Sequence, residues 1–203
     1  QEWQECRIKA AFLMDLPSAT GIFETIAVIN GIPQRLHAHL HRLSASAVAL
    51  RIAFDQDTAK NLISSTCAAL DKHLSFRLRL DLAPDGKFSI KTAAIDSMDA
   101  PVKIFWATDI LPGDVTMFSG DAVLRHKIHN RTLYDQAWQE AIKLGGFDAL
   151  FVNEQGFVTE GGRTSIFIKP HGSSEWLTPP LSAGLLPGVM RAALLTDSSM
   201  NAR

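Results

Sequence analysis

Cysteine is scarce in this sequence. Only Cys6 and Cys67 are present; they lie far apart, and neither belongs to a CxxC or Cys/His pattern. A disulfide framework or a structural zinc site needs several suitably spaced cysteines or histidines. The cysteine usage therefore argues against both and fits a reducing compartment.

A basic excess and a long apolar run are also lacking. Lysine and arginine total 20 residues, aspartate and glutamate total 21, and the net charge is −1. Proteins that neutralise nucleic-acid phosphates carry a clear positive excess, so this balance argues against a nucleic-acid partner. No stretch approaches about 18 consecutive apolar residues, and the first residues lack the layout of a signal peptide. We therefore expect a cytoplasmic protein without a membrane segment.

What is present is the composition of a globular protein: 203 residues, of which 46% are apolar and 20% charged. Hydrophobic periodicity and turn signals predict a mixture of hairpins and helices. Strands are predicted over 22–30, 76–82, 87–94, 102–108, 148–152, 156–159, 165–169 and 175–178, and helices over 36–50, 57–73, 131–144 and 189–195, with 1–13 as a further helix candidate. A polar segment at 96–101 predicts a boundary, and hence an α+β fold with lobes at 1–98 and 99–203.

The densest cationic cluster lies directly before a predicted helix. It runs from Arg125 to Arg131 and holds Lys127 among arginines and histidines. Crowded positive charge favours the neutral form of a lysine, and a neutral amine is a nucleophile. The N–H groups at the helix start also suit an anion. The alternative is a solvated basic loop.

Three further features are weak by themselves. Glu160 ends a strand and is followed by two glycines, which serve either a closely bound ligand or a turn. The Gly- and Pro-containing segment before Val189 opens a helix and is compatible with phosphate binding. Arg42 lies on the polar flank of an amphipathic helix, where an isolated arginine is ordinarily solvated. Histidines 37, 39 and 41 of the same helix fan apart by about 200° at each step, so we assign no metal.

Together these segments form an ordered set of motifs. The set comprises Phe23-Glu24-Thr25, HLxRL at 39–43, KxxNR at 127–131, NExGxxTEG at 153–161, TPPL at 178–181 and GLLPGVMR at 184–191. In this order the sequence resembles the fold-type IV (class IV) pyridoxal-phosphate enzymes, which include branched-chain and D-amino-acid aminotransferases and aminodeoxychorismate lyase. The resemblance covers residues 16–195. It implies a two-lobed D-amino-acid aminotransferase-like fold, with a small α/β lobe and a larger β-barrel-like lobe that is incomplete at its C-terminus, and it implies a homodimer.

The resemblance also assigns roles to individual residues. Lys127 matches the lysine that binds pyridoxal 5'-phosphate covalently and moves the substrate proton. Glu160 matches the carboxylate that pairs with the protonated pyridine nitrogen. The remaining cofactor residues implied are Arg42, Val189 and Met190 at the phosphate and Arg131 near the phenolic oxygen.

Thr25 and the KxxNR segment indicate the subgroup. Aminodeoxychorismate lyases carry threonine at the position of Thr25, where branched-chain aminotransferases carry glycine. The resemblance therefore implies an α,β-elimination on a small-molecule substrate that releases pyruvate and 4-aminobenzoate for folate biosynthesis, with Thr25 acting near the leaving group. Arg77 or Arg79 would bind a substrate carboxylate, and both point to the same strand face. The alternatives are an aminotransferase of the same fold and a non-catalytic relative.

The first residues of the sequence carry a further resemblance. The segment EWQECRIKAAFL is similar to the linker that joins an aminodeoxychorismate synthase component to a lyase module in fused folate enzymes. The resemblance implies a protein fused to such a component or acting with it.

Overall fold

The computed structural model describes residues 20–95, 98 and 100–203. The helix candidate at 1–13 and Cys6 lie outside the described residues. The chain forms two compact units, one comprising Gln1–Asp96 with Lys127–Asn130 and the other comprising Ser97–His126 with Arg131–Arg203. The short segment Lys127–Asn130 therefore belongs to the first unit although the residues on both sides of it belong to the second.

The first unit is built on a four-stranded antiparallel sheet with the order β2-β1-β3-β4. Its strands are β1 (Ile22–Ile29), β2 (Ile32–Pro33), β3 (Ser75–Leu82) and β4 (Phe88–Ala94). Asn30 and Gly31 make the tight turn between β1 and β2, with positive φ angles of 53° and 75°. Both residue types tolerate this left-handed conformation, which is why Asn-Gly predicts a hairpin.

Two helices cover one face of this sheet. They are α1 (Leu36–Ala49), which packs on β1, and α2 (Gln56–Ala68), which contacts β2 and β4. Asp55 caps α2 by accepting a hydrogen bond from the Asp57 amide at 3.0 Å, the arrangement that makes aspartate a favoured residue at a helix start. The helix ends at Ala68 rather than at residue 73, because Asp71 accepts a hydrogen bond from the His73 amide and turns the chain.

The opposite face of the sheet is polar. Side chains alternate along a strand, so Phe23 and Thr25 of β1 share this face with Arg79 of β3. The segment Lys127–Asn130 extends the sheet at the start of β1: the Phe23 amide donates to the Lys127 carbonyl at 2.9 Å, and the His129 amide donates to the Gly21 carbonyl at 2.8 Å. This pairing places Lys127 opposite Phe23.

The second unit contains a three-stranded sheet with the order β5-β6-β7. Its elements are β5 (Ile104–Trp106), α3 (Ala107–Ile110), α4 (Thr132–Lys143), β6 (Asp148–Val152), β7 (Val158–Gly161) and α5 (Val189–Thr196). The core between α4 and β6 is closed by the buried side chains of Tyr134, Ala137, Ala141 and Phe151. None of the helices in the described part of the chain is both long and apolar enough to cross a membrane.

Three strand predictions for this unit are wrong in part. The strand expected over 102–108 ends at Trp106, where α3 begins. The strands expected over 165–169 and 175–178 are reduced to two isolated bridges, one between Ile168 and Leu177 and one between Trp176 and Ala202. The Ile168 and Leu177 side chains remain 50% and 37% exposed, so their pairing buries little surface and the ladder does not extend.

Gly21 controls how closely the segment Lys127–Asn130 approaches β1. A Cβ atom at this position would lie 2.7 Å from the Leu82 carbonyl oxygen and 2.8 Å from two atoms of the His129 ring. We expect Gly21→Ala to destabilise the fold by about 1–3 kcal/mol, because a backbone oxygen cannot move aside cheaply. Urea unfolding measures this change.

Gly120→Ala is the matched control, since an added Cβ there meets nothing within 4 Å among the described residues. Equal stability of the two variants would contradict the close approach at Gly21.

Candidate cofactor and substrate site

The Phe23 ring brings two cationic side chains together on the polar face of the first unit. The Arg79 guanidinium carbon lies 3.6 Å from the ring centroid and Lys127 Nζ lies 4.8 Å from it, both within cation–π range. Thr25 stands directly opposite Arg79 in the β1–β3 register. Lys127, Thr25 and Arg79 are therefore neighbours, and Lys127 lies in a paired segment rather than in a solvated loop.

Arg77 is placed differently from Arg79. It stands opposite Ala27, two residues farther along β1 than Thr25, and it is exposed. The strand face alone does not distinguish the two arginines, but the register does. Of the two, Arg79 is the one that contacts the ring beside Lys127.

Asp81 and His129 hold Arg79 in place. Asp81 Oδ1 accepts hydrogen bonds from Arg79 Nε at 2.8 Å and from His129 Nε2 at 2.8 Å. A carboxylate only accepts, so His129 Nε2 carries the proton. Neither Asp81 nor His129 was singled out from the sequence, because their proximity depends on the pairing of distant segments.

Arg42 lies on the helix-covered side of the sheet, in a buried cluster with Glu24 and His39. Its Nε donates to Glu24 Oε1 at 2.8 Å and its Nη2 donates to Glu24 Oε2 at 2.6 Å, while His39 Nδ1 lies 2.6 Å from Oε2. Only 11% of the Arg42 side chain is exposed, so it is not a solvated surface arginine. Its predicted contact with a cofactor phosphate stays a prediction.

Burial by itself raises the pKa of Glu24, but the hydrogen bonds from His39 and Arg42 and the positive charge of Arg42 outweigh it. The pKa of Glu24 is held below its usual value of 4.5. The carboxylate is therefore ionised at neutral pH and fixes the orientation of the guanidinium.

Glu160 forms the centre of a second cluster, in the second unit. Its Oε1 accepts hydrogen bonds from the Tyr134 hydroxyl at 2.9 Å and from the Leu186 amide at 3.1 Å. The Arg131 guanidinium lies 4.4 Å above the Tyr134 ring and donates to the Gly162 carbonyl at 3.2 Å. Burial, together with the charge and hydrogen bond of Glu160, raises the pKa of Tyr134 far above its usual range. The phenol therefore remains a donor to Glu160 at every physiological pH.

Asp148 shapes the loop that follows Glu160. It is fully buried and accepts hydrogen bonds from the Arg163 amide at 3.0 Å and the Thr164 hydroxyl at 2.8 Å. A Cβ at Gly162 would lie 2.9 Å from its carboxylate. The glycines after Glu160 thus leave room for the Asp148 carboxylate. The sequence feature that could have drawn attention to Asp148 is a charged residue at the start of an apolar strand.

Val189 and Met190 form the first turn of α5. Gly188 precedes them as the N-cap; the Val189 side chain is buried and that of Met190 is half-exposed. The first amide groups of a helix have no partner within the helix and favour an anion. Leu186 lies in the loop just before Gly188, and its amide donates a hydrogen bond to Glu160. The start of α5 and the Glu160 carboxylate are therefore held together.

Each unit, taken by itself, holds residues whose chemistry suits a part of pyridoxal 5'-phosphate. A lysine amine suits the aldehyde, a buried carboxylate that already accepts two hydrogen bonds suits a protonated ring nitrogen, and a helix start and an arginine suit a phosphate. Within residues 20–95, 98 and 100–203, no group of three or more His, Cys, Asp or Glu side chains is arranged to hold a metal ion.

Comparison with known proteins agrees with this chemistry. The model of the amino-transferase class IV family matches residues 21–199. The chain belongs to this family. Membership confirms the expected α+β fold, the pyridoxal-phosphate-dependent enzyme class and the cofactor.

The relatives are named for two different activities, a lyase and an aminotransferase. A Schizosaccharomyces pombe protein named as an aminodeoxychorismate lyase is 28% identical over 90% of this chain and 76% of its own length. A solved Mesorhizobium loti protein named as an amino-acid aminotransferase is 29% identical, with a TM-score of 0.79 over 91% of this chain and 85% of that chain. A Legionella pneumophila structure named for 4-amino-4-deoxychorismate lyase is 24% identical, with a TM-score of 0.73 over 91% and 72%, and shows the fold alone.

The contribution of the buried Glu24–Arg42 ion pair to the stability of the fold can be tested by substitution of Glu24. Glu24→Gln leaves the Arg42 charge buried without its carboxylate, so we expect a loss of about 3–5 kcal/mol at pH 7 in urea unfolding. The folded-state pKa of Glu24 is lowered, so its contribution is complete above pH 4.5 and is lost as the pH falls through the folded-state value. The difference between the two proteins should therefore shrink in acid.

Glu140→Gln is the control, because Glu140 pairs with Lys143 on an exposed helix surface and should contribute at most about 1 kcal/mol. A Glu24→Gln variant as stable as this control at pH 7 would refute the buried ion pair.

Proposed function

We propose that the protein is a 4-amino-4-deoxychorismate lyase, which eliminates pyruvate from its substrate and leaves 4-aminobenzoate. The observation that carries the proposal is the placement of Thr25 opposite Arg79, on the strand face where Lys127 lies against Phe23. The similarity to the S. pombe relative supports it. Residence in the cytoplasm, a homodimer and association with a synthase component stay predictions.

Each residue has a separate task in this reaction. The bound cofactor supplies an electron sink for the carbanion that forms at the amine-bearing carbon. Lys127 would hold the cofactor, and its amine would take the proton from that carbon. Glu160 keeps the ring nitrogen protonated, with Tyr134 and the Leu186 amide fixing its orientation. Arg42, Arg131 and the start of α5 at Val189 and Met190 would hold the other cofactor groups.

The leaving group determines the role of Thr25. The carbon–oxygen bond to the enolpyruvyl group breaks on the carbon next to the amine, and its electrons pass to the oxygen, which requires a proton or a hydrogen bond. The Thr25 hydroxyl can supply the hydrogen bond. Arg79 binds a substrate carboxylate and so orients the ring. Because loss of the proton and the enolpyruvyl group makes the ring aromatic, placement of these groups is the main requirement.

An aminotransferase of the same fold is the second candidate, favoured by the similarity to the M. loti structure. It would use the same Lys127 and Glu160 without a leaving group on the adjacent carbon. Incubation with aminodeoxychorismate, compared with an amino acid and 2-oxoglutarate, separates the two activities. A non-catalytic relative would show neither.

Lys127→Ala tests the assignment common to both candidates. We expect loss of turnover and of the visible absorption of lysine-bound cofactor, with an unchanged circular dichroism spectrum. Lys60→Ala, on α2, is the control and should keep both. A cofactor bond that borohydride still reduces in Lys127→Ala would show that another lysine holds it.

Thr25 tests the proposed elimination. We expect Thr25→Ser to retain pyruvate release and Thr25→Gly to lower it about ten- to a hundredfold, since one hydrogen bond to developing charge contributes about 1.5–3 kcal/mol. Any amino-group transfer should fall less in Thr25→Gly than pyruvate release. Equal losses in the serine and glycine variants would instead indicate that Thr25 serves packing in β1.

A further inference from the structure

The polar face of the first unit contains a pocket of about 430 Å³ beside the Arg79 cluster. Its walls come from β3, β4, the turn that joins them and the segment that carries Lys127. The lining residues are Arg79, Asp81, Ala83, Ser89, Lys91 and His129. The pocket therefore adjoins the group of side chains assigned above to the reaction.

The pocket carries excess positive charge. Arg79 and Lys91 stand directly opposite each other in the β3–β4 register. Asp81 is the one carboxylate in the lining, and its Oδ1 already accepts hydrogen bonds from Arg79 and His129. In the part of the chain that the structure describes, the Lys91 ammonium forms no ion pair or hydrogen bond.

Two like charges directly opposite on neighbouring strands destabilise a sheet. A lysine on an outer strand also discourages edge-to-edge aggregation, and β4 is such a strand. A glutamate at position 91 would give the same protection and would pair with Arg79. The presence of a second cation instead is explained if an anion enters the pocket.

We propose that this pocket binds a second carboxylate of the substrate, with Arg79 receiving one carboxylate and Lys91 the other. The ligand class is a dicarboxylate with its two acid groups a few bonds apart. Identification of that ligand as aminodeoxychorismate, which has one carboxylate on the ring and one on the enolpyruvyl group, rests on the proposed function. The charge argument for a dicarboxylate does not depend on it.

Calorimetry with the cofactor-loaded protein tests the proposal, with glutarate as the dicarboxylate and pentanoate as the monocarboxylate of equal chain length. We expect glutarate to bind more tightly than pentanoate. Lys91→Gln should weaken glutarate binding about two- to fivefold, as expected for an ion pair at an exposed lysine, and leave pentanoate binding unchanged. Added salt should reduce the glutarate affinity of the wild-type protein more than that of Lys91→Gln.

Lys87→Gln is the matched control. Lys87 lies near the same hairpin turn, pairs with Asp85 and does not line the pocket. Its substitution by glutamine changes the net charge by the same amount as Lys91→Gln. Glutarate binding that is no tighter than pentanoate binding, or that falls equally in both variants, would overturn the proposal.

Turnover separates this result from the proposed function. If aminodeoxychorismate is the substrate, Lys91→Gln should raise its KM about two- to fivefold with little change in kcat, since Lys91 touches a remote carboxylate. Selective loss of glutarate binding without any lyase activity would support the pocket and refute the lyase. Lyase activity with unaltered glutarate binding in Lys91→Gln would refute the pocket alone.

Discussion

The backbone pairing of residues 127–130 with the start of β1 determines where the Lys127 amine lies. Two hydrogen bonds, from the Phe23 amide to Lys127 and from the His129 amide to Gly21, fix this segment as a short additional strand. Because side chains alternate, the same pairing sends Lys127 and His129 to the polar face and Ile128 to the buried face. That one alignment therefore determines the positions of three side chains: Lys127, His129, which contacts Asp81, and Phe23, which contacts Arg79.

Buried carboxylates provide the second level of organisation. Glu24 and Glu160 are both nearly inaccessible to solvent, and each accepts hydrogen bonds from two different side-chain or backbone donors. Burial of an ionised carboxylate is costly unless such donors compensate for the lost water. The donors are also what fix the position of each group: Glu24 orients Arg42 from α1, and Tyr134 and Leu186 orient Glu160.

The elements that were predictable from the sequence are those with local signals. Asn30-Gly31 marks the first hairpin, an aspartate at position 55 or 57 marks the start of α2, and the ordered motifs indicate the family in which Lys127 and Glu160 have assigned roles. The choice between Arg77 and Arg79 was not accessible in this way, since both have the same parity and only the β1–β3 register distinguishes them. Asp81, His129 and Tyr134 were missed for the same reason: each acquires its function from a partner distant in sequence.

The outer position of β4 has a consequence for how such a protein can change over evolutionary time. β4, which carries Lys91, is the last strand of the sheet and pairs only with β3. β1 and β3 each pair with a strand on both sides. Substitutions or altered turn lengths in β4 therefore disturb few other contacts. On the proposed assignment, the lysine that recognises the distal part of a substrate lies on this outer strand, whereas Thr25 and Arg79 lie on strands that are paired on both sides. Descendants of one ancestor could thus acquire new substrates while the reaction centre stayed the same.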